Sequence, residues 1–274
     1  MNTKFQLRVQ RYGWDAAAEV YDELWRKNLL PVHQAIFEIA QLKSAERVFE
    51  MACGSGFATH EAASLIGATG HILATDISAE MIAILQNQSA NMGLENIRAE
   101  RVAAEDLDDL ADGSFNAALC SLGLMFMPDP EVGLKTMWQA LKPGGRAIAA
   151  VWGQRSKCAW ADIFPIVDRT VKSEVCPLFF SLGAGTSLAL GFENQGFVSV
   201  DTRRIETSLD FDNQESLLGA MIDGGAVALA AKRFDTDTRH QVESEFLKTV
   251  EEYRKGGSYS IPVEFVVVAG EKPE

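Results

Sequence analysis

From residue 46 onward, short β-branched or apolar runs alternate with stretches of helical character, the pattern of βαβ units on a parallel sheet. The runs predict strands at residues 47–53, 71–76, 96–102, 116–121 and 146–152. Ser78 ahead of Met81, Ile82 and Leu85 marks one helix start, and Pro130 opens another that stops at Pro143-Gly144-Gly145. Two later runs, 197–211 and 258–269, read as an antiparallel closing pair, which completes a seven-stranded α/β sheet with helices on both faces. Between them, helices expected at 213–231 and 236–253 form an insertion at about 212–256 that serves as a small cap. Ahead of the sheet, residues 14–42 read as an amphipathic helix broken near Pro31, with Trp14, Tyr21 and Trp25 on one face. Residues 1–45 are therefore expected to be a helical lid, and 46–274 the domain it covers.

Composition narrows the class. A chain of 274 residues with 47% hydrophobic content buries one large core, and no apolar run approaches the roughly 18 to 20 residues that span a bilayer. The opening MNTKFQLRVQR carries charge but no signal-peptide run, so a cytoplasmic protein without membrane contact is expected. A net charge of −13 repels a phosphate backbone, which argues against nucleic acid as a partner. Cys53, Cys120, Cys158 and Cys176 form no CxxC pair and have no His at zinc-finger spacing, so they read as core filling and no metal site is expected.

The segment VFEMACGSGFATHEAA sets a glycine turn, Gly54 and Gly56, between the first strand and its helix. Backbone amides there approach a ligand closely, and the helix N-terminus favours negative charge. Asp76 ends the second strand, 20 residues beyond Gly56, where a carboxylate accepts from both hydroxyls of an adenosine ribose; its competing reading is a cap for the helix near Ser78. NAD and S-adenosylmethionine both suit this layout. The dinucleotide fingerprint needs a third glycine where this chain has Thr59, and Glu50 inside strand one suits a cationic amino-acid end better than a pyrophosphate.

With those residues in place, the chain resembles the class I S-adenosylmethionine-dependent methyltransferases, especially the ubiquinone/menaquinone-biosynthesis branch, and so implies a Rossmann-like fold. The resemblance rests on VFEMACGSG, ILATDIS, AAEDLDDLADGSFNAALCSLGL and LKPGG, which together cover about residues 46–152. It implies that Glu50, Ala52, Gly54 and Gly56 line the methionine half of S-adenosylmethionine and that Asp76 binds its ribose. Ile77 and Met81 would flank the adenine, Ala104 and Glu105 would meet the adenine edge, Ser121 would lie beside the methionine moiety, and LKPGG would be the turn before strand five. Two positions depart from the family pattern: Ala52 replaces a usual glycine, and Ala103 a usual aspartate.

Methyl transfer from a sulfonium asks for an aligned nucleophile more than for an acid or base, so the absence of a recognisable triad is compatible with catalysis. No catalytic base is named; His33, His60, His71 and His240 read as structural or solvent-facing. Tyr12 and Tyr21 are the expected aromatic ligands of the cofactor, and Trp14, Leu124 and Met125 the expected walls of a pocket for a small-molecule acceptor. Two other classes stay open at this point: a non-catalytic S-adenosylmethionine-binding protein and an NAD-dependent oxidoreductase. Oligomeric state is left open.

Overall fold

The structure, a computed structural model, describes residues 3–107, 113–171 and 179–274, apart from the Glu105 side chain. The chain opens with one helix, α1 (Thr3–Ala40), that runs through Pro31 without interruption, against the expected break. Proline removes one N–H and so frees the carbonyl of Lys27. Lys27 is exposed, and the helix continues past the freed carbonyl. At its far end, the carbonyls of Ala40 and Gln41 accept from the Arg146 guanidinium, which also forks onto Glu46 at 3.0 and 2.7 Å. A cation among the orphan carbonyls is a favourable end for a helix.

Strands β1 (Arg47–Met51), β2 (His71–Asp76), β3 (Ile97–Arg101), β4 (Phe115–Ser121) and β5 (Leu141–Trp152) are parallel. The helices between them are α2 (Phe57–Ile66), α3 (Ala79–Asn91) and α4 (Pro130–Ala140). After β5 come α5 (Ile163–Thr170), α6 (Ser187–Gln195) and the long strand β6 (Val198–Phe211). Then follow α7 (Gln214–Leu218), α8 (Ala228–Ala231), α9 (Thr236–Thr249), the two-residue β7 (Arg254–Lys255) and β8 (Ser258–Glu271). Sheet order is β3-β2-β1-β4-β5-β8-β6, with β8 antiparallel to both neighbours and β7 paired to it off that path. This is the expected Rossmann-like sheet, five parallel strands and an antiparallel closing pair. Its inner strands β1 and β4 are buried nearly end to end, as is β5 from Ala147 onward, whereas β3 and β6 at the two edges are largely half-buried or exposed.

Three local expectations are corrected. LKPGG lies within the start of β5 rather than before it, with a register irregularity between Phe115 and Ala117 of the neighbouring strand. The first helix of the insertion is broken into α7, one π-helical turn (Gly219–Asp223) and α8. Gly224, which ends that turn, lies against α1: a Cβ there would sit 3.0 Å from Leu24 Cδ1, and its carbonyl accepts from Trp25 Nε1 at 2.8 Å. Finally, residues 153–196, for which no helix was expected, supply α5 and α6. Among the described residues, no helix is long and apolar enough to cross a membrane.

Candidate functional site

Sheet order reverses between β1 and β4, and in open α/β sheets the crevice at such a switch point, off the strands' carboxyl ends, is where ligands bind. Both strands end there in left-handed backbone at non-glycine residues, Ala52 (φ 54°) and Leu122 (φ 59°). Such conformations cost roughly 1–2 kcal/mol for residues with a Cβ and concentrate at functional sites. Gly54 (φ 55°) has open space where a Cβ would stand, so a ligand can approach its backbone. Gly56 (φ 99°) differs: a Cβ would fall 2.2 Å from Leu85 Cδ1. Its role is packing α2 onto α3, and it is not on the cavity wall expected of it.

Asp76 ends β2 almost wholly buried, its Oδ2 accepting from the Gly54 amide at 2.9 Å and its Oδ1 from the Ser78 amide at 2.8 Å. It is not the helix cap: Ser78 is, with its Oγ accepting from Met81 N at 3.1 Å. Ser78 Oγ in turn donates to Asp15 Oδ1 of α1 at 2.7 Å, a link between α1 and the loop after β2. Burial pushes the Asp76 carboxyl up to about 6, against the pull of the Ser78 and Gly54 amides, and Asp15 adds to the rise.

Glu50 projects from β1 with 1% exposure, and its Oε2 has no hydrogen-bond partner among the described residues. Burial pushes its pKa to about 8. Ser55 Oγ and Ser121 Oγ are likewise buried without partners. These three line one small cavity beside the glycine turn, together with Tyr21 and His33. Unsatisfied buried polar atoms are costly and ask for a bound group. Burial, then the charge of Arg26, lowers the His33 pKa to about 4, so its imidazole is neutral. The Tyr21 phenol, stacked on Phe57 at 5.8 Å, is held well above its ordinary range by burial and then by Asp22 and Asp76.

The main cavity adjoins this pocket and shares Tyr21, Ala52, Gly54 and Ser121 with it. About 1160 Å³ of space, open mouth included, lies between its walls. Asp76, Ile77, Met81 and Ala104 line one end. The other end is aromatic and aliphatic: Trp14 and Trp25 from α1, Met125 and Phe126 after β4, Trp152 at the end of β5, Trp160 beyond it. Met221 and the Gly224 to Val227 turn of the insertion close it on a further side.

Of the residues singled out from the sequence, Glu50, Ala52, Gly54, Asp76, Ile77, Met81, Ala104, Ser121, Tyr21, Trp14 and Met125 do line the two adjoining cavities. Gly56, Tyr12 and Leu124 do not. Tyr12 is 50% exposed with Arg11 over its ring, because two residues along a helix turn about 200° and only Trp14 of that pair faces the sheet. Leu124 is fully buried beneath the wall, against Gly133, while its neighbour Met125 faces the cavity. The adenine-edge expectation for the Glu105 side chain lies outside the described residues. Sequence reasoning missed Asp15, His33 and the whole wall of Trp160, Ile163, Phe164 and Phe179. Its signal was present, since Trp160, Ile163, Phe164 and Val167 follow i, i+3, i+4, i+7 spacing. Among the described residues, no group of three or more His, Cys, Asp or Glu side chains is arranged to hold a metal ion.

Comparison with known proteins agrees with this geometry. Residues 48–145 match a family model described as a methyltransferase domain. A ubiquinone/menaquinone biosynthesis C-methyltransferase of Haemophilus ducreyi is 31% identical over 108 residues, 39% of this chain and 41% of the relative. The chain thus spans less than half the length of that relative. Among solved structures, a Bacillus halodurans protein assigned as a methyltransferase superposes with a TM-score of 0.62 at 17% identity, over 88% of this chain and 99% of that one. Phosphoethanolamine N-methyltransferase 2 of Haemonchus contortus, in complex with S-adenosylmethionine, gives 0.60 at 14% identity, over 95% of this chain and 57% of the other. At such identities the likeness is one of fold. By that family match and its sheet, residues 48–145 of the chain form a methyltransferase domain on a Rossmann-like fold.

Proposed function

We propose that this protein binds S-adenosylmethionine at the β1–β4 crevice and transfers its methyl group to a small-molecule acceptor in the covered aromatic lobe, without a metal. The observation that carries this reading is one continuous pair of cavities, with two buried carboxylates at the cofactor end and rings at the other. When bound, the cofactor supplies a methyl group already activated by its sulfonium, so no Lewis acid is needed for departure.

The residues fit it. Glu50, buried and unpartnered at Oε2, receives the amino-acid ammonium, with Ser55 and Ser121 hydroxyls free to complete the hydrogen bonds. Asp76 spends one lone pair of each oxygen on the Gly54 and Ser78 amides, which leaves the others for ribose hydroxyls and holds the carboxylate rigidly toward them. Ile77, Met81 and Ala104 offer the apolar slot for the adenine. Residues 1–45 act as the lid and the insertion at about 212–256 as the cap. Tyr21 and Trp14 on α1, with Met221 on the insertion, exclude water and hold the acceptor in line, and alignment of this kind supplies roughly 7 to 11 kcal/mol of barrier reduction.

Calorimetry with S-adenosylhomocysteine and with NAD tests the first half of this proposal. Binding of the former alone is expected; binding of NAD alone would overturn it. Turnover to S-adenosylhomocysteine across a panel of neutral and charged acceptors, with and without a chelator, tests the second half. Cofactor binding with no turnover on any acceptor would mark a binding protein rather than an enzyme.

A further inference from the structure

Glu264 interrupts an apolar run of β8, Ile261 to Ala269, with 0% of its side chain exposed. Of the three acidic residues buried among the described ones, Glu50 and Asp76 line the cavities and Glu264 lines neither. Taking a carboxylate out of water is costly, and a well-packed apolar residue of similar size would serve stability at least as well. The charge therefore calls for a reason other than stability.

Its partners supply one. Oε2 accepts from the Gln154 amide at 3.0 Å and from Arg204 Nη1 at 2.8 Å, and Oε1 accepts from Lys157 Nζ at 3.0 Å. The Glu264 carbonyl takes the Gly153 amide at 2.6 Å, and only glycine fits at 153, where a Cβ would collide with the carboxylate. The segment leaving β5 is thus tied to Glu264 at Gly153, Gln154 and Lys157. Arg204, on the edge strand β6, carries the network further: its Nη2 donates to the carbonyls of Gly183 and Gly185. Gly183 in turn lies so close on the Trp152 and Gly153 carbonyls that a Cβ has no room there.

Both tied segments lead into the aromatic wall. Trp152 comes directly before Gly153, Trp160 shortly after Lys157, and Phe179 shortly before Gly183, and all three rings line the main cavity. Trp152 meets Trp160 at 5.0 Å, and Trp160 meets Phe179 at 6.0 Å. Phe265, next to Glu264 in β8, is the cross-strand partner of Trp152 and stacks on its ring at 4.4 Å. Charge-assisted hydrogen bonds fix distance and direction together, which apolar packing alone leaves looser.

Resting on the methyltransferase reading above, we propose that Glu264 is a positioning residue: through Gln154, Lys157 and Arg204 it fixes where Trp152, Trp160 and Phe179 stand. It thereby sets the shape of the acceptor side of the cavity while touching neither cofactor nor acceptor.

The test uses the full chain labelled with 5-fluorotryptophan at Trp14, Trp25, Trp138, Trp152 and Trp160, each ¹⁹F signal assigned by a Trp→Phe variant. E264Q keeps the shape of the side chain and an acceptor for the Gln154 amide but removes the charge. It is expected to shift or broaden the Trp152 and Trp160 signals and to leave that of Trp138, on α4 and off the cavity, in place. Its S-adenosylhomocysteine affinity by calorimetry should equal that of wild type. On an acceptor from the panel above that turns over, E264Q should raise the acceptor KM by about ten-fold or more and leave the S-adenosylmethionine KM unaltered, the split given by a misplaced wall. R204K keeps the cation and loses the fork onto Gly183 and Gly185, so it should move the same two signals to a lesser degree, and it decides the matter if E264Q does not fold. Unmoved Trp152 and Trp160 signals in both variants, a Trp138 signal that moves with them, or an equal rise in both KM values would overturn the proposal. Failure of S-adenosylhomocysteine to bind the wild type would instead remove the methyltransferase reading beneath it.

Discussion

Glu50 offers the sharpest test of how the cofactor end works. Its pKa rises from 4.5 to about 8 on burial, so at pH 7 the folded, unliganded protein holds a proton there that the unfolded chain has released. Folding stability therefore falls as pH climbs between 4.5 and about 8 and levels off above, where both states are ionised. At about 1.36 kcal/mol for each tenfold change in proton affinity, the full interval is worth roughly 5 kcal/mol. Relaxation and water entry reduce it, so a loss of about 2–4 kcal/mol is the working expectation. Asp76 acts in the same direction over a lower window, from 3.8 to about 6. Urea melts of wild type and E50Q from pH 5 to 9 isolate the Glu50 contribution, because the amide keeps the shape and cannot ionise. Wild-type stability relative to E50Q should fall between pH 5 and about 8 and stay level above that. Parallel profiles for the two proteins would refute the argument.

The same proton reports on ligand binding. An ammonium brought to Glu50 favours the carboxylate, so S-adenosylhomocysteine should drive off close to one proton near pH 7. Calorimetric enthalpies in phosphate, HEPES and Tris will then differ in proportion to the buffers' ionisation heats. E50Q should abolish that release and weaken binding by about 1.5–3 kcal/mol, the worth of a hydrogen bond to a charged group. Tight binding by wild type with no buffer dependence would place the ammonium elsewhere.

Asp76→Ala should both weaken S-adenosylhomocysteine binding and destabilise the fold by about 2–4 kcal/mol in a denaturant melt, since the Gly54 and Ser78 amides lose their acceptor together. Asp76→Asn, which keeps one acceptor oxygen, should lose less stability; equal melting of all three proteins would show the carboxylate to be functional only. Gly56→Ala should cost about 2–4 kcal/mol by thermal melting, because its φ of 99° is left-handed and the added Cβ meets Leu85. Deleting residues 1–16 removes Trp14 and Asp15 but keeps buried Trp25 and the core face of α1 beyond it. That truncation should stay folded by circular dichroism yet lose turnover, and full activity would take the lid out of the mechanism. Turnover of the intact protein should be unaffected by a chelator; rescue of lost activity by a divalent ion would overturn the metal-free reading.

The parallel sheet was legible because its inner strands are short apolar runs between glycine or polar breaks, a signal that burial on both faces enforces. That Gly54, Asp76 and Glu50 would meet around one crevice was legible because all three sit at or near strand ends at fixed spacing. What the sequence hid depends on rotation and contact. Tyr12 and Trp14 look equivalent as aromatics in a helix, and only the helix's docking decides that Trp14 points inward. Leu124 and Met125 are adjacent in one 3-10 turn, so one must face the core when the other faces the cavity. Pro31 looked like a break because proline removes a helical N–H, yet α1 runs on through it. The Trp160 to Val167 face carried a helical period, but nothing local announced that it would complete a wall begun by α1 more than a hundred residues earlier.

The link from Asp15 through Ser78 to Asp76 has a consequence for the proposed chemistry. Asp15 accepts from the Ser78 hydroxyl, the Ser78 amide donates to Asp76, and the other oxygen of Asp76 takes the Gly54 amide. One run of hydrogen bonds therefore joins α1 to the glycine turn. The same helix carries Trp14 and Trp25 at the aromatic lobe, Tyr21 where the two cavities meet, and His33 beside Glu50. A rigid helix that touches every part of the site cannot move at one end without disturbing the other. In the proposed binding mode a ribose would order the Asp76–Gly54 contact and with it the observed α1 position, so the two proposed ligands should bind with positive coupling by reciprocity. The coupling runs through Asp15, so Asp15→Ala should leave each ligand able to bind alone while weakening the effect of one on the other.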